Sequence, residues 1–514
     1  MQAFHRVFKN TGILYVRMGL TVFLSLYTTR VILQALGVAD FGIYSVVASA
    51  IAMLGFLNTS MAAATQRYMS YTAGQGHEGE LRSVFAVSVV IHCAVAVAVC
   101  LILALSGVLL FDGVLNIPVE RRQAAYFVFG AVVVSTAFSI LAVPYDAVIN
   151  AREHMLVFAV LSVLEAVLKL LAALYIAAAD SDRLILYGIL MSAIAALDFC
   201  LKSAYCHWQY SECSLRLRRY WSRALASRMT SFAGWSFLGS STTLVSSYGQ
   251  SVVLNSFFGP AVNSAQAIAN QVNGQLSAFA GTILKALNPL ITKSEGAGDR
   301  ELMLKASLLG SKLGFFMLMV FFVPMLVEMP YVLQLWLGQV PEFAVVFCRL
   351  LLLRSLIEQM FFSLTASIAA VGNIKRYEVT SSILTLVPLP LTYVLFELGF
   401  EPYWMYTVYI VYACMASAVI LHFANRLCGC PIRTFLTTVV ARCVGAFGVN
   451  LLIVQTIASA LPSGAGRLAA VILASVPGFA LTVWFIGLSS AERSTLRSVV
   501  EAVARRLAEF FRRA

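Results

Sequence analysis

The sequence predicts an all-α polytopic membrane protein of about fourteen transmembrane helices, arranged as two parallel six-helix lobes followed by two C-terminal helices. Three observations predict it. Hydrophobic residues make up 60% of the 514-residue chain and charged residues 12%, and the mean hydropathy is +0.85, a composition outside that of soluble proteins. Apolar stretches long enough to cross a bilayer, about 20 residues each, recur along the whole chain. A weak internal repeat then divides the first twelve of them into halves.

Taken in order, the spans fall near residues 11–35, 41–65, 83–110, 124–149, 155–178, 184–207, 230–258, 262–289, 303–327, 343–370, 379–397, 403–424, 436–458 and 468–487. The first carries Arg17 and Arg30, lacks an A-x-A cleavage site and is followed at once by the second. It is therefore read as a retained span and not a signal peptide. With the N-terminus inside, Lys and Arg concentrate in the cytoplasmic segments, so both termini are expected to be cytoplasmic. The densest basic loop holds Arg216, Arg218, Arg219, Arg223 and Arg228 near the middle of the chain, and it reads as a linker that touches anionic headgroups.

A shift of 221 residues lays Arg30–Leu81 over Ser251–Leu302 and the turn Ala151–His154 over Gly372–Lys375. Each half then enters and leaves on the same side, which makes the repeats parallel. The expected organisation is an N-terminal six-helix lobe (1–215), a basic cytoplasmic linker (216–229), a C-terminal six-helix lobe (230–430), two additional helices (431–490) and a basic amphipathic tail (491–514) lying on the membrane surface.

The same sequence excludes several classes of function. The net charge of +12 lies in short runs between apolar segments, which is an orientation signal and not a nucleic-acid face. The ten cysteines sit in spans or cytoplasmic loops, so no disulfide framework is expected. Gly74–Gly79 matches G-x-G-x-x-G but follows a membrane helix rather than a strand, and there is no P-loop. The six histidines show no metal-ligand spacing. The outside loops are too short for a catalytic domain, so a membrane glycosyltransferase or polymerase is disfavoured. No enzymatic activity, catalytic residue, metal or cofactor is expected.

What remains informative is polarity inside the spans. Ser236, Ser240, Thr243, Ser247 and Gln250 recur at steps of four and three and share one helix face. In the next span Asn263, Gln266, Asn270, Asn273, Ser277 and Asn288 fall within a sector of roughly 80°, with Lys285 beside it. Unpaired polar groups in hydrocarbon are costly. One such stripe alone is as well explained by hydrogen bonds between packed helices, whereas two adjacent stripes favour a hydrophilic cavity. Ionisable residues add i,i+4 pairs: Glu165 with Lys169, Asp198 with Lys202, and Arg354 with Glu358. Local neutralisation explains such pairs, and carboxylates that take up protons during transport (Glu165, Asp198, Glu358) are the alternative. Arg17 shares a face with Thr21, Ser25 and Thr28. Cations outnumber unpaired acids in the spans, which suits an anionic substrate such as a phosphate. The expected cavity residues are Arg17, Lys285, Arg354, Asn255, Gln266, Asn270, Asn273 and Gln250.

The run Tyr27–Tyr44, with Leu36-Gly-Val-Ala-Asp-Phe-Gly-Ile-Tyr44 as its most specific part, together with Ala64–Tyr68, Leu115–Pro118, Val143–Glu153 and Asn255–Ala265, resembles the polysaccharide-transporter branch of the multidrug/oligosaccharidyl-lipid/polysaccharide (MOP) exporter superfamily. The likeness is greatest to O-antigen flippases and covers roughly residues 10–430. It implies a MATE-like fold around a central cationic cavity, residence in the bacterial inner membrane, and translocation of undecaprenyl-pyrophosphate-linked oligosaccharides to the periplasmic face by alternating access. It also implies membrane lipids and the polysaccharide polymerase machinery as partners. A multidrug antiporter and a peptidoglycan-precursor flippase share this plan and stay open as alternatives.

Overall fold

The computed structural model describes residues 2–52, 55–109, 119–214, 216–490, 492–494 and 497. The Leu115–Pro118 element and most of the expected tail lie outside the described residues. The described residues are almost all helical: α1 (Gln2–Ala52), α2 (Gly55–Gln75), α3 (Glu78–Leu109), α4 (Arg122–Ala151), α5 (Met155–Ala177), α6 (Arg183–Gln209), the short α7 (Leu217–Tyr220), α8 (Arg223–Gly296), α9 (Arg300–Leu337), α10 (Ala344–Val371), α11 (Lys375–Leu386), α12 (Pro388–Glu397), α13 (Trp404–Cys428), α14 (Ile432–Phe435), α15 (Ala441–Ala460) and α16 (Ala465–Thr482). No strand occurs among the described residues. The all-α, polytopic class expected from composition is thus the class observed.

Ten described helices are long and apolar enough to cross a membrane. The second runs across residues outside those described, and the other three expected crossings are helical too: the seventh and eighth, both inside α8, and the tenth, α10. These three fall short on polarity rather than on length. The stripes on α8 and the charged residues of α10 are what lower their hydropathy, so the least lipid-like helices are the ones with polar faces to hide.

Two of the long helices are crossings in tandem. α1 breaks at Gly37 (φ 77°) and α8 at Gly259 (φ 76°). A left-handed residue costs an L-amino acid about 1–2 kcal/mol, so glycine is what allows the chain to turn there. The two glycines are 222 residues apart, one off the register at which the flanking residues align, and they mark the same point of the internal repeat.

By compactness the chain forms two units: Asn10–Ser240 with Thr292–Gly298, and Met1–Lys9 with Ser241–Ile291 and Asp299–Ala514. In the first, Ile43 of α1 joins Ala96, Val99 and Leu103 of α3, Ala125 and Val128 of α4 and Leu184 of α6 in one core. Ile32 and Ala35 of α1 pack with Ala173 and Ile176 of α5 and Tyr187 and Met191 of α6 in another.

The start of α6 secures the break in α1. Arg183 donates from Nη1 to the Ala35 carbonyl (3.1 Å), a group close to the interrupted helix. Arg121 bridges Asp40, just past the break (Nε to Oδ1 2.8 Å), and Asp182 (Nη1 to Oδ2 2.8 Å). Asp182 also caps α6, accepting from the backbone N–H of Leu184 and Ile185. Asp182→Ala removes both functions and is expected to destabilise the first unit by about 1–2 kcal/mol, the range of a lost cap, read as a lower melting temperature in detergent.

Within the first unit the ends of α2 and α8 cross at reciprocal glycines. A Cβ on Gly74 would fall onto the backbone carbonyl of Lys293, and one on Gly296 onto that of Tyr71, with 2.8 Å to the carbonyl carbon in each case. Tyr71 and Lys293, like Gly74 and Gly296, are 222 residues apart, so one contact is the repeat image of the other. A backbone carbonyl held in a helix cannot swing aside as a side chain can. Gly74→Val is therefore expected to cost about 3 kcal/mol, the upper end of overpacking. Gly281→Ala, where nothing lies within 4 Å, should melt as the native chain does.

In the second unit α9 packs on α10 through small residues. Gly310 lies where a Cβ would meet Ser363 Oγ at 2.5 Å, and Ser307 hydrogen-bonds Ser367. The last helix and the residues after it are tied to α9 by two ion pairs. Arg467, just inside α16, meets the fully buried Glu328 (Nη2 to Oε2 3.0 Å), and Lys312, 3% exposed, meets Glu492 beyond α16 (2.8 Å). For Glu492, burial pushes the carboxyl up, but the bonds from Lys312 and Ser489 outweigh it and hold the group below its usual range.

Candidate functional site

A cavity of about 270 Å³ opens within the second unit among α8, α10, α11 and α13. Both halves of α8 wall it: Thr243, Ser246, Ser247 and Gln250 before the Gly259 break, and Asn270 and Asn273 after it. α10 contributes Leu351, Arg354, Ser355 and Glu358. These stand at i, i+3, i+4 and i+7, so one helix face delivers all four. Thr385 of α11 and Tyr412 of α13 close the lining.

Hydrogen bonds between neighbouring helices fix the wall. Ser355 Oγ donates to Asn273 Oδ1 (2.7 Å), which ties α10 to α8. Thr385 pairs with Tyr412 (2.9 Å), and Ser246 pairs with Tyr409 (2.9 Å), which is buried behind the lining. Arg354 donates from Nε to Glu358 Oε1 (2.8 Å), and its guanidinium carbon lies 4.9 Å from the Tyr409 ring centroid and 5.8 Å from that of Tyr412. Such stacking orients the plane of the group. Its two terminal nitrogens have no hydrogen-bond acceptor among the described residues and are not sealed from the cavity.

Of the residues singled out by sequence, the structure brings together Thr243, Ser247, Gln250, Asn270, Asn273, Arg354 and Glu358. Gln266, 3% exposed, instead accepts from Ser251 Oγ (2.9 Å) and links the two halves of α8. Asn255 and Lys285 are exposed and do not line the cavity. Arg17 lies in the first unit, with Nη1 3.4 Å from Ser162 Oγ and its guanidinium 5.1 Å from the Phe158 ring centroid. Glu165 pairs with Lys169 (2.7 Å), and Asp198 pairs with Lys202 (2.9 Å), both in the first unit. Lys202 also reaches Asp146 on α4 (3.2 Å), so one lysine holds two carboxylates from two helices. Lys312 and Arg349, unassigned from sequence, are engaged by Glu492 and by the carbonyls of Leu326 and Val327.

The lining differs from expectation in charge. It carries one guanidinium and one carboxylate, paired with each other, against eight neutral hydroxyl and amide side chains and the Tyr412 phenol. It is polar and charge-balanced rather than cationic. Ser355 could have been found by extending the Arg354–Glu358 spacing by one position. Thr385 and Tyr412 carried no signal, being single polar residues in apolar helices. Among the described residues no cluster of three or more His, Cys, Asp or Glu could hold a metal.

No protein-family profile matches the chain, and no curated protein matches it. Solved structures do. A MATE protein in its bent conformation superposes with a TM-score of 0.69 at 13% identity, covering 85% of this chain and 99% of that one. An outward-facing multidrug-resistance MATE transporter of the MOP superfamily gives 0.65 at 12%, covering 82% and 95%. A MOP superfamily transporter from Pyrococcus furiosus, described as having a binding pocket of reversed polarity, gives 0.63 at 14%, covering 83% and 96%. At these identities the likeness concerns the fold. This chain has the fold of MATE-type transporters of the MOP superfamily.

Proposed function

We propose that the protein is a multi-pass transporter of the bacterial inner membrane that moves an anionic, lipid-linked oligosaccharide, of the undecaprenyl-pyrophosphate class, from the cytoplasmic to the periplasmic face without chemical change. The observation that carries this reading is Arg354, a guanidinium set against two tyrosines in the wall of a cavity of amides and hydroxyls, its terminal donors without an acceptor among the described residues. That fork matches two phosphate oxygens, and the amide and hydroxyl walls match sugar hydroxyls. The sequence resemblance to polysaccharide transporters points the same way. An inside-negative potential favours outward movement of negative charge by about 2.3 kcal/mol per charge per 100 mV.

Glu358 favours a second reading, a multidrug antiporter. Only its Oε1 is engaged by Arg354 and its side chain is 40% exposed, so it could meet a cationic drug, and the structural neighbours include a multidrug-resistance transporter. Deletion of the gene separates the two. Loss of long-chain surface polysaccharide, with lipid-linked sugars accumulating on the cytoplasmic face, is the expected result. Unchanged polysaccharide with new sensitivity to cationic drugs would install the antiporter reading instead.

A further inference from the structure

We propose that Glu358 is a built-in competitor for the anion that Arg354 binds, so that anion binding at Arg354 and proton uptake at Glu358 are linked. This rests on the anionic-substrate reading above.

Glu358 holds the Nε edge of Arg354 at 2.8 Å from one turn further along α10. It therefore stands in for the substrate's charge while no substrate is present. The two groups are not equally free to move. Arg354 is 19% exposed and lies against the Tyr409 and Tyr412 rings, whereas Glu358 is 40% exposed. Glu358 is the partner that can yield.

An arriving phosphate takes the terminal nitrogens of the fork, which brings its charge close to the carboxylate on the neighbouring edge. Like charges at that range in a partly desolvated cavity repel strongly. A proton taken from water onto Glu358 removes the repulsion and releases the Nε donor. Nothing else lining the cavity can respond in this way. Glu358 shares the lining with Gln250, Asn270 and Asn273 of α8, Thr385 of α11, Tyr412 of α13 and Arg354 itself, and Tyr409 lies against Arg354, so Glu358 is the one carboxylate among the described lining residues. The balance is simple. The empty cavity pairs +1 with −1, and the loaded cavity replaces the carboxylate's charge with the substrate's while the proton rests on Glu358.

The test uses the full-length protein in detergent with farnesyl diphosphate as probe. Binding is measured by titration calorimetry in buffers of different ionisation enthalpy between about pH 5 and 8. The native protein should take up protons on binding and bind about tenfold tighter at the acidic end, relative to E358Q, than at the alkaline end, a typical linkage. E358Q should bind tightly throughout, and its profile subtracts the probe's own protonation. E301Q, which alters the exposed Glu301–Lys305 pair, should behave as native. Native protein that binds without any proton uptake beyond that of E358Q overturns the linkage and leaves the anion site standing. Failure of the native protein to bind, or equal binding by R354A, removes the anion site itself. The proton uptake of the native protein is informative even if E358Q folds poorly.

Discussion

Arg467→Ala is expected to destabilise the second unit by about 3–5 kcal/mol, the cost of removing one partner of a buried ion pair. The magnitude follows from asymmetry. Glu328 is fully buried on α9, and its ion-pair partner among the described residues is Arg467, 18% exposed, which approaches both carboxylate oxygens. The Nε contact to Oε1 is close at 2.8 Å but poorly aligned, so Nη2 to Oε2 is the one true hydrogen bond. Without the arginine the carboxylate keeps its burial and loses its counter-charge. The double variant Arg467→Met with Glu328→Leu should recover most of the loss, because two apolar side chains have no desolvation to compensate. Thermal melting in detergent reads both. Near-native melting of Arg467→Ala alone would mean that Glu328 has another way to satisfy its charge.

The particular residues show how far sequence reasoning reaches in a membrane protein. Helices follow from composition because a bilayer leaves the backbone no other donors and acceptors. The faces of α8 were legible for the same reason, since amides repeated at helical spacing must be turned from lipid. Register along one helix is therefore written in the sequence. Contact between helices is not. Gln266 and Asn270 lie on the same stripe, yet one is used up by Ser251 and the other lines the cavity, a difference set by the Gly259 turn. Asp198 and Lys202 were readable as neighbours on α6, but Asp146 reaches the same lysine from α4, more than fifty positions earlier in the chain. Arg17 and Arg354 look equally suited to a phosphate by spacing alone. The structure separates them, placing Arg17 against Ser162 and Phe158 and Arg354 beside open space.

Arg354→Ala is expected to abolish surface polysaccharide in a deletion strain complemented with the variant, at unchanged protein level. The contrast with Arg467 is the reason to expect a functional and not a structural defect. Glu358 is 40% exposed, so the carboxylate left behind can be solvated, and a solvated ion pair contributes only about 0–1 kcal/mol to stability. Binding is another matter. A bidentate, charge-assisted pair in a partly desolvated cavity is worth about 2–5 kcal/mol when one partner is truncated, which corresponds to at least about a thirtyfold loss of affinity for a diphosphate probe. Arg354→Lys sharpens the test, since it keeps the charge but presents a point donor in place of a planar fork and stacks less well against Tyr409 and Tyr412. It should bind the probe more weakly than the native chain and better than Arg354→Ala. Lysine equal to arginine would mean that charge alone selects the substrate, and full polysaccharide with alanine would take Arg354 out of the transport path.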